Sequence, residues 1–394
     1  MKPLLFAIGI LLLIGVEIAR VYFIMPFPGS QVDETIFLAY FIQTYVWLFR
    51  FVGWLLIAYP SFSYIRKSSP SFKFTVIAML IFWAIVVYAF NFRFLADKMF
   101  YQPEHKILAR KDKNKVPNNN LVIGVSLHGE SKAYPIENIG YHHQVRDSIG
   151  GEMVMITYCT VCRTGRAYSP IVDGQPEIFR LVGMDHFNAM FEDGRTKSWW
   201  RQANGEAIVG PLKGKTLREI PSEQMTLGVW LNLHPDSFVL QPDSSFKEQY
   251  KGLEKYDEGK MEGKLERHDS LSWHDKSWVV GVAQGLSATA YDWNDLLKKR
   301  VINDVIENEP IVIALEADSV SFHAWSRIVG RDTLQFGYDV KSKILIDQNN
   351  NLWNWAGENA DGSHKDAKLN FVQAYQEYWH SWRTFHPQTK RFGY

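Results

Sequence analysis

Residues 121–168, LVIGVSLHGESKAYPIENIGYHHQVRDSIGGEMVMITYCTVCRTGRAY, contain the pattern that best predicts the architecture of this chain. Similar side chains recur at matching positions 157 residues later. The matched pairs are Gly124 with Gly281, Tyr134 with Tyr291, Asp147 with Asp304 and Tyr168 with Trp325, and then, after small deletions, Trp199 with Trp353, Trp230 with Trp382 and His234-Pro235 with His386-Pro387. This match predicts two tandem homologous units related by a pseudo-twofold axis.

The chain has two cysteines, Cys159 and Cys162, and both lie in the first copy of this pattern. In the same register the second copy has Glu316 and Ser319. Because the second copy lacks thiols, the shared architecture does not require them. The sequence therefore predicts that the cysteine pair is a site added to one copy.

The first hundred residues differ in composition from the rest. Three apolar runs, at residues 4–24, 36–59 and 74–94, are each about as long as a helix that spans a bilayer, for which roughly 20 residues suffice. The first run lacks a small-residue cleavage pattern and is followed by two more, so it is not interpreted as a signal peptide. The sequence predicts three transmembrane helices.

Basic residues in the short loops predict the orientation of these helices, because Lys and Arg are enriched on the cytoplasmic side. The loop after the first run has Asp33 and Glu34, whereas the loop after the second has Arg66, Lys67 and Lys73. The N-terminus is therefore expected in the cytoplasm, and the chain beyond residue 95 outside it. We expect an integral protein of the cytoplasmic (inner) membrane with a periplasmic C-terminal region.

The exported part is predicted to be an α+β, β-rich structure. Its apolar runs are short and are separated by turn signals such as Gly150-Gly151. Helices are expected at residues 225–233 and 371–384. The predicted divisions are a three-helix anchor at 1–95, a tether at 96–120, a first unit at 121–240, a charged connector at 241–277 and a second unit at 278–394. The net charge of +1 argues against a nucleic-acid partner.

The cysteines lie in the run TYCTVCRTGR, residues 157–166. Cys-x-x-Cys spacing brings two sulfurs together, either for a disulfide or for one metal ion, and both uses depend on the thiolate. The positive charge of Arg163 would favour that thiolate. Because Gly165 and a strand-like run follow, a turn between strands is expected here rather than a helix N-terminus. A structural disulfide stays open as an alternative.

Further ligands for a metal would have to come from outside the cysteine run. The candidates are His143, His186 and Met190. Two thiolates with an imidazole and a thioether form a soft ligand set suited to copper. The candidate metal ligands are therefore Cys159 and Cys162 together with these three residues.

Several motifs of this chain resemble the DUF3179 family of uncharacterised, membrane-anchored bacterial and archaeal proteins. They are Gly150-Gly151-Glu152, the cysteine run at 157–165, Asp193 with Trp199, the run GEAIVGPLKG at 205–214, and Trp230 with His234-Pro235-Asp236. The resemblance covers residues 121–393, and it implies that His143, Cys159, Cys162 and Met190 are of family-typical type. In the cysteine motif, Thr160 and Arg163 replace the proline and glycine that the family usually has. The family name carries no established activity.

Two functions from different classes are consistent with these observations. The first is a membrane-anchored extracytoplasmic protein in which Cys159, Cys162 and Arg163 serve soft-metal binding or dithiol/disulfide exchange, with a redox or metal-delivery protein as partner. As an enzyme, it would be a thiol-disulfide or metal-dependent oxidoreductase. The second is a non-enzymatic binding or assembly module, with a structural disulfide and a Trp-rich groove for peptide or glycan.

Overall fold

The structure is a computed structural model that describes residues 2–32, 34–359 and 367–393. It is α+β, with three apolar N-terminal helices and a β-rich C-terminal region. Contacts between residues divide the chain into two compact units. The anchor unit comprises Met1–Tyr101, Glu177–Arg201 and Glu206–Thr216, and the β-rich unit comprises Gln102–Pro176, Gln202–Gly205 and Leu217–Tyr394. The domain boundaries expected from the sequence stay a prediction.

Three helices of the anchor unit are long and apolar enough to cross a membrane, as the sequence predicts. They are Lys2–Tyr22, Val46–Lys67 and Pro70–Phe92. At a rise of about 1.5 Å per residue, each covers roughly the 30 Å of a bilayer core. Two shorter helices, Ile36–Thr44 and Ala96–Met99, accompany them.

The second span differs from its predicted bounds of 36–59. The helix that begins at Ile36 ends at Thr44, and a new helix begins at Val46 and continues to Lys67. The polar residues Gln43 and Thr44 precede the break at Tyr45, but they stand within an otherwise apolar run that was interpreted as one span. Asp33, used above for the orientation, lies outside the described residues.

A buried polar cluster joins the three spans. Glu17 accepts hydrogen bonds from Nε of Arg50 at 2.6 Å and from Nδ2 of Asn91 at 2.8 Å. Arg20 approaches the same carboxylate at 3.4 Å. Buried charge is costly unless it is paired, so these contacts hold the three helices in one arrangement.

A small antiparallel sheet completes the anchor unit. Its strands are Phe179–Asp185, Asn188–Asp193, Trp199–Arg201 and Ala207–Val209. The backbone N–H of Met184 donates to the carbonyl of Ile24, with 2.7 Å between nitrogen and oxygen. A Cβ at Gly183 would lie 2.3 Å from the same oxygen, so only glycine permits this approach. The sheet therefore packs at the end of the first span.

The β-rich unit contains two larger sheets that share the order of four strands, and the first has a fifth strand at its edge. One has the order Glu223–Thr226, Leu121–Leu127, Glu130–Pro135, Phe238–Leu240 and Leu108–Ala109, and the other has the order Tyr375–Tyr378, Trp278–Gln284, Ser287–Asp292 and Lys390–Arg391. We call Leu227–Leu233 and Trp379–Phe385 the closing helices. The strand that follows each of them, Phe238–Leu240 or Lys390–Arg391, pairs in parallel with Glu130–Pro135 or Ser287–Asp292, respectively. The helices are Ile136–His142, Leu227–Leu233, Lys247–Lys251, Trp293–Lys299 and Trp379–Phe385, with short 3₁₀ turns at Lys111–Lys113 and Ser244–Phe246.

Two three-stranded sheets also share one plan. The first is formed by Gln144–Ile149, Glu152–Cys159 and Thr164–Tyr168, and the second by Val301–Ile306, Glu309–Leu315 and Phe322–Ser326. We call the last two strands of the first sheet the cysteine hairpin, and the last two strands of the second the glutamate hairpin, because Glu316 follows Leu315. The remaining short strands are Ile171–Val172, Gln175–Pro176, Ile328–Val329, Asp332–Thr333, Phe336–Asp339, Ile344–Asp347 and Leu352–Trp353.

Two of the residue pairs matched in the sequence have one packing explanation. A Cβ at Gly124 would lie 2.2 Å from the indole of Trp230, and a Cβ at Gly281 would lie 2.3 Å from Trp382. Each glycine therefore leaves room for the tryptophan of the closing helix. The rings of His234 and His386 lie against these indoles, with centroid separations of 4.0 and 3.8 Å.

The predicted helix at residues 371–384 is wrong in its first half. Tyr375–Tyr378 is a strand that pairs antiparallel with Trp278–Gln284, and the helix extends from Trp379 to Phe385. The run before Trp379 is amphipathic enough to be compatible with either structure. Pairing with a sheet edge, a tertiary interaction, decides in favour of the strand.

Candidate functional site

The cysteines lie in the turn of the cysteine hairpin, between two strands, as the sequence predicts. Cys159 is the last residue of one strand and pairs with Thr164, the first of the next. Arg163 has a φ of 55°, in the left-handed region. This conformation closes the turn and returns the chain to the sheet.

Both thiols are buried, with no exposed surface at Cys159 or Cys162. The two side chains lie within hydrogen-bonding reach of each other, and Ser381 is a second partner of Cys162. Burial raises the pKa of the Cys162 thiol well above its usual range, and the neighbouring Cys159 raises it further. In this arrangement the pair is held as two thiols.

The positive charge of Lys276 lowers the pKa of the Cys162 thiol and so opposes burial. Nothing in the sequence pointed to this residue. Its Nζ donates to the carbonyl of Val161, inside the turn, at 2.6 Å, and to the carbonyl of Leu265. Burial lowers the pKa of Lys276, and the two cysteines oppose that effect. Lys276 follows Cys162 by 114 positions (276 − 162) and carries no local motif, so no sequence signal could have found it.

An imidazole lies beside this ammonium group. Nε2 of His380 is 3.1 Å from Nζ of Lys276 and 3.2 Å from the carbonyl oxygen of Val161. Burial lowers the pKa of His380 to about 4, and the charge of Lys276 adds to the effect. The imidazole is therefore neutral at physiological pH. The backbone N–H of Tyr378 donates to the carbonyl of Cys162 at 3.0 Å. This bond holds the cysteine turn against the start of the helix Trp379–Phe385.

Arg163, expected from the sequence to favour the thiolate, has its side-chain contacts with other groups. Its Nε donates to Oε1 of Gln376 at 2.8 Å. Its guanidinium lies 4.1 Å from the ring centre of Trp278 and 5.2 Å from that of Tyr256. Because Tyr256 is a buried residue of the charged connector, whose hydroxyl donates to the carbonyl of Thr160 at 2.9 Å, the connector packs onto the cysteine turn.

Arg166 forms the main buried ion pair of this region. Its Nη2 donates to the carboxylate of Glu377, and both side chains are almost fully buried. Its guanidinium carbon lies 3.4 Å from the ring centre of Tyr375, and its Nε donates to the carbonyl of Ala203 at 3.0 Å. The pairing offsets the cost of burying the two charges, and the hydroxyl of Ser381 also donates to Glu377 at 2.9 Å.

His143 lies in the same unit as the cysteines. Its backbone carbonyl accepts a hydrogen bond of 3.0 Å from the N–H of Tyr158, the residue before Cys159. Its Nδ1 lies 3.1 Å from the carbonyl oxygen of Tyr141. Burial lowers the pKa of His143 to about 4, so the ring is neutral and in the form that a metal ligand requires.

His186 and Met190 belong to the anchor unit, whereas the cysteines belong to the β-rich unit. Nδ1 of His186 lies 2.7 Å from a carboxylate oxygen of Asp185, and this hydrogen bond raises the pKa of the imidazole. Met190 is fully buried in the small sheet. Across residues 2–32, 34–359 and 367–393, no three side chains of His, Cys, Asp or Glu form a group that could hold a metal ion.

The sequence model of one protein family matches most of this chain. The family is described as a protein of unknown function, DUF3179, and the match covers residues 101–389. No curated protein and no solved structure matches the chain. Because the match covers more than half of the 394 residues, the chain belongs to the DUF3179 family.

Proposed function

We propose that this chain is a membrane-anchored extracytoplasmic protein whose Cys159–Cys162 pair binds a soft metal ion such as Cu(I), or exchanges between dithiol and disulfide. The observation that carries the proposal is the contact between two buried thiols beside the buried ammonium group of Lys276. A redox or metal-delivery protein would be its partner. As an enzyme, it would be a thiol-disulfide or metal-dependent oxidoreductase.

The burial of the pair favours metal ligation over exchange. Exchange requires a thiolate that a second disulfide can reach, and both sulfurs here are without exposed surface. A metal ion can displace the thiol protons even where burial disfavours the thiolate alone. Two thiolates around a monovalent ion leave one negative charge, which the ammonium group of Lys276 would balance. His143 does not join the two cysteines in a metal-holding group within the described residues, so the proposed site holds the ion with two thiolates.

The alternative is a binding or assembly module in which the two cysteines form a static disulfide. A turn of this kind can hold either state, and an oxidising compartment would favour the disulfide. The two functions differ in one measurable property. The metal-binding function requires two reducible thiols that take up an ion, and the alternative requires thiols that never titrate.

The proposed location outside the cytoplasm rests on the spans and on the small sheet of the anchor unit. Three crossings place the end of the third span on the side where the first span ends. The sheet contact at Ile24 lies at that end. The basic residues Arg66 and Lys67 lie in the last turn of the second span, at the opposite side, which is the cytoplasmic side by the positive-inside rule.

We further propose that residues 121–240 and 278–394 arose by tandem duplication. Equivalent hydrogen bonds support this: the hydroxyl of Tyr134 donates to Asp147 at 2.8 Å, and that of Tyr291 donates to Asp304 at 2.7 Å. Gln224 and Gln376 occupy matching positions in the strands before the closing helices. They bond each other at 2.9 Å, as residues beside a pseudo-twofold axis would.

The test is anaerobic titration of the full-length protein in detergent with Cu(I), in competition with a chromogenic Cu(I) chelator, alongside a thiol count. We expect one ion per chain and loss of that ion in Cys159→Ser and in Cys162→Ser. Ser319→Ala, in the turn of the glutamate hairpin, is the matched control and should bind as the parent does. Equal copper binding by Cys159→Ser, or none by a protein whose two thiols titrate, would exclude the metal function.

A further inference from the structure

A cavity lies away from the cysteines, within the β-rich unit. It has a volume of about 850 Å³, inside the range of roughly 300–1,000 Å³ typical of small-molecule sites. Its wall combines carboxylates with aromatic rings and side-chain amides. The lining residues that matter for its chemistry are Glu223, Glu316, Trp325, Trp355, Asn232 and Asn370.

Two of these carboxylates are positioned by one buried imidazole. Nε2 of His323 lies 2.8 Å from Oε1 of Glu316, and its Nδ1 lies 3.5 Å from Oε2 of Glu223. Burial opposes protonation of this ring. The hydrogen bonds and charges of the two glutamates outweigh burial and raise the pKa of His323 to about 9. The imidazolium therefore holds both glutamates in place at neutral pH.

The aromatic rings are fixed by the same imidazole. The ring of His323 is nearly parallel to that of Trp325, at 7° and a centroid separation of 4.9 Å, and lies 5.6 Å from that of Trp355 at 24°. The indole N–H of Trp355 donates to the carbonyl of Lys343 at 3.1 Å. Trp355 is half-buried and lines the cavity, so part of its indole is accessible to a ligand there.

A flat indole beside oriented carboxylates matches the two faces of a sugar ring. The C–H face of a pyranose packs on an aromatic ring, and its hydroxyl groups donate to acceptors at the edge. A carboxylate has two oxygens and about four lone-pair sites, so each glutamate can accept from His323 and also from a ligand. The amides of Asn232 and Asn370 add groups that both donate and accept.

We propose that the cavity lined by Glu223, Glu316, Trp325 and Trp355 is a saccharide-binding site, with Trp355 as the stacking platform. The bound sugar is neutral or carries an amino group, because the glutamates would repel a uronic acid. The site is independent of the thiol chemistry, since no cysteine lines it.

The test is binding of chitotriose, cellotriose and maltotriose to the full-length protein in detergent, measured by saturation-transfer NMR and by titration. Trialanine is the peptide probe. We expect at least one trisaccharide to bind and Trp355→Ala to weaken that binding at least about tenfold. Glu223→Gln should weaken it less, because an amide still accepts one hydrogen bond.

The matched control is Trp273→Ala, a half-buried tryptophan of the same unit that does not line the cavity. It should bind saccharide as the parent does, and so should Cys159→Ser. The proposal is overturned if no trisaccharide binds at millimolar concentration, if trialanine alone binds, or if Trp355→Ala and Trp273→Ala bind equally. None of these results bears on copper binding by the cysteines.

Discussion

The cysteine hairpin and the glutamate hairpin have the same register but differ in what their turns contain. Cys159 pairs with Thr164 in the first, and in the second the N–H of Glu316 donates to the carbonyl of Ser321 at 2.8 Å. The first turn encloses two neutral thiols without exposed surface. In the second, the matching carboxylate of Glu316 lines a cavity.

Arg166 and His323 occupy matching positions, seven residues after Cys159 and Glu316. They differ in how their positive charge is paired. Arg166 is buried and forms an ion pair with Glu377. His323 has a shorter side chain and forms ion pairs with two glutamates, Glu223 and Glu316. One backbone plan therefore supports a sealed site and a cavity. Side-chain length and charge make the difference.

Removing the guanidinium group of Arg166 should have the largest effect on the free energy of unfolding. Arg166→Met leaves Glu377 buried without its partner, and we expect it to lower the free energy of unfolding by about 3–5 kcal/mol. The measurement is urea unfolding of the detergent-solubilised protein, followed by tryptophan fluorescence.

Arg383→Met is the control for that substitution. Its partner Asp275 and Arg383 itself are both largely exposed, so the expected loss is below about 1 kcal/mol. Similar losses in the two variants would show that burial does not separate these ion pairs.

The two regions should also respond to pH in opposite directions. The pKa of His323 is about 9 in the folded protein, above its unfolded value near 6.5. Its contribution to the free energy of unfolding is therefore complete below pH 6.5 and is lost as pH rises through 9. His143 and His380, with pKa values of about 4, contribute fully above pH 6.5 and lose that contribution as pH falls toward 4. We call the loss of stability at high pH the alkaline limb and the loss at low pH the acidic limb. Each limb amounts to about 3 kcal/mol of unfolding free energy per histidine.

The unfolding free energy measured from pH 4 to pH 10 tests this difference. His323→Gln should flatten the alkaline limb only, and His143→Gln should reduce the acidic limb only. An alkaline limb that persists in His323→Gln would assign it to another group.

The glycine positions under the two closing helices should respond alike. Gly124→Ala and Gly281→Ala each place a Cβ within 2.3 Å of an indole, so we expect each to cost about 2 kcal/mol of unfolding free energy. Gly337→Ala is the control, because its nearest neighbour, Ile346, is at 3.6 Å and no shift is needed. A loss at only one of the two positions would contradict equivalent packing in the two sheets.

The smallest expected effect concerns thiol access at the two turns. Alkylation of Cys159 and Cys162 by iodoacetamide should be at least about tenfold slower than alkylation of the single thiol in Cys159→Ser/Cys162→Ser/Ser319→Cys, because position 319 is half-exposed. Mass spectrometry after timed quenching gives both rates. Equal rates would show that the cysteine turn opens readily and would favour exchange over metal binding.

Much of the local structure is predictable from the sequence. The three apolar runs correspond to helices long enough to cross a membrane, and the cysteine turn lies between strands as expected. The helix break at Tyr45 and the strand Tyr375–Tyr378 were missed. The strand depends on its pairing with Trp278–Gln284 rather than on local composition.

The sequence by itself determined the three apolar spans, the matched positions and the place of the thiols, because hydropathy, spacing and residue type are local properties. Only the tertiary structure decided that Lys276 and His380 lie beside the cysteine turn and that Arg163 bonds to Gln376. It also assigned Met190 and the cysteines to different units. These outcomes depend on residues far apart in the chain, which only packing in three dimensions brings together.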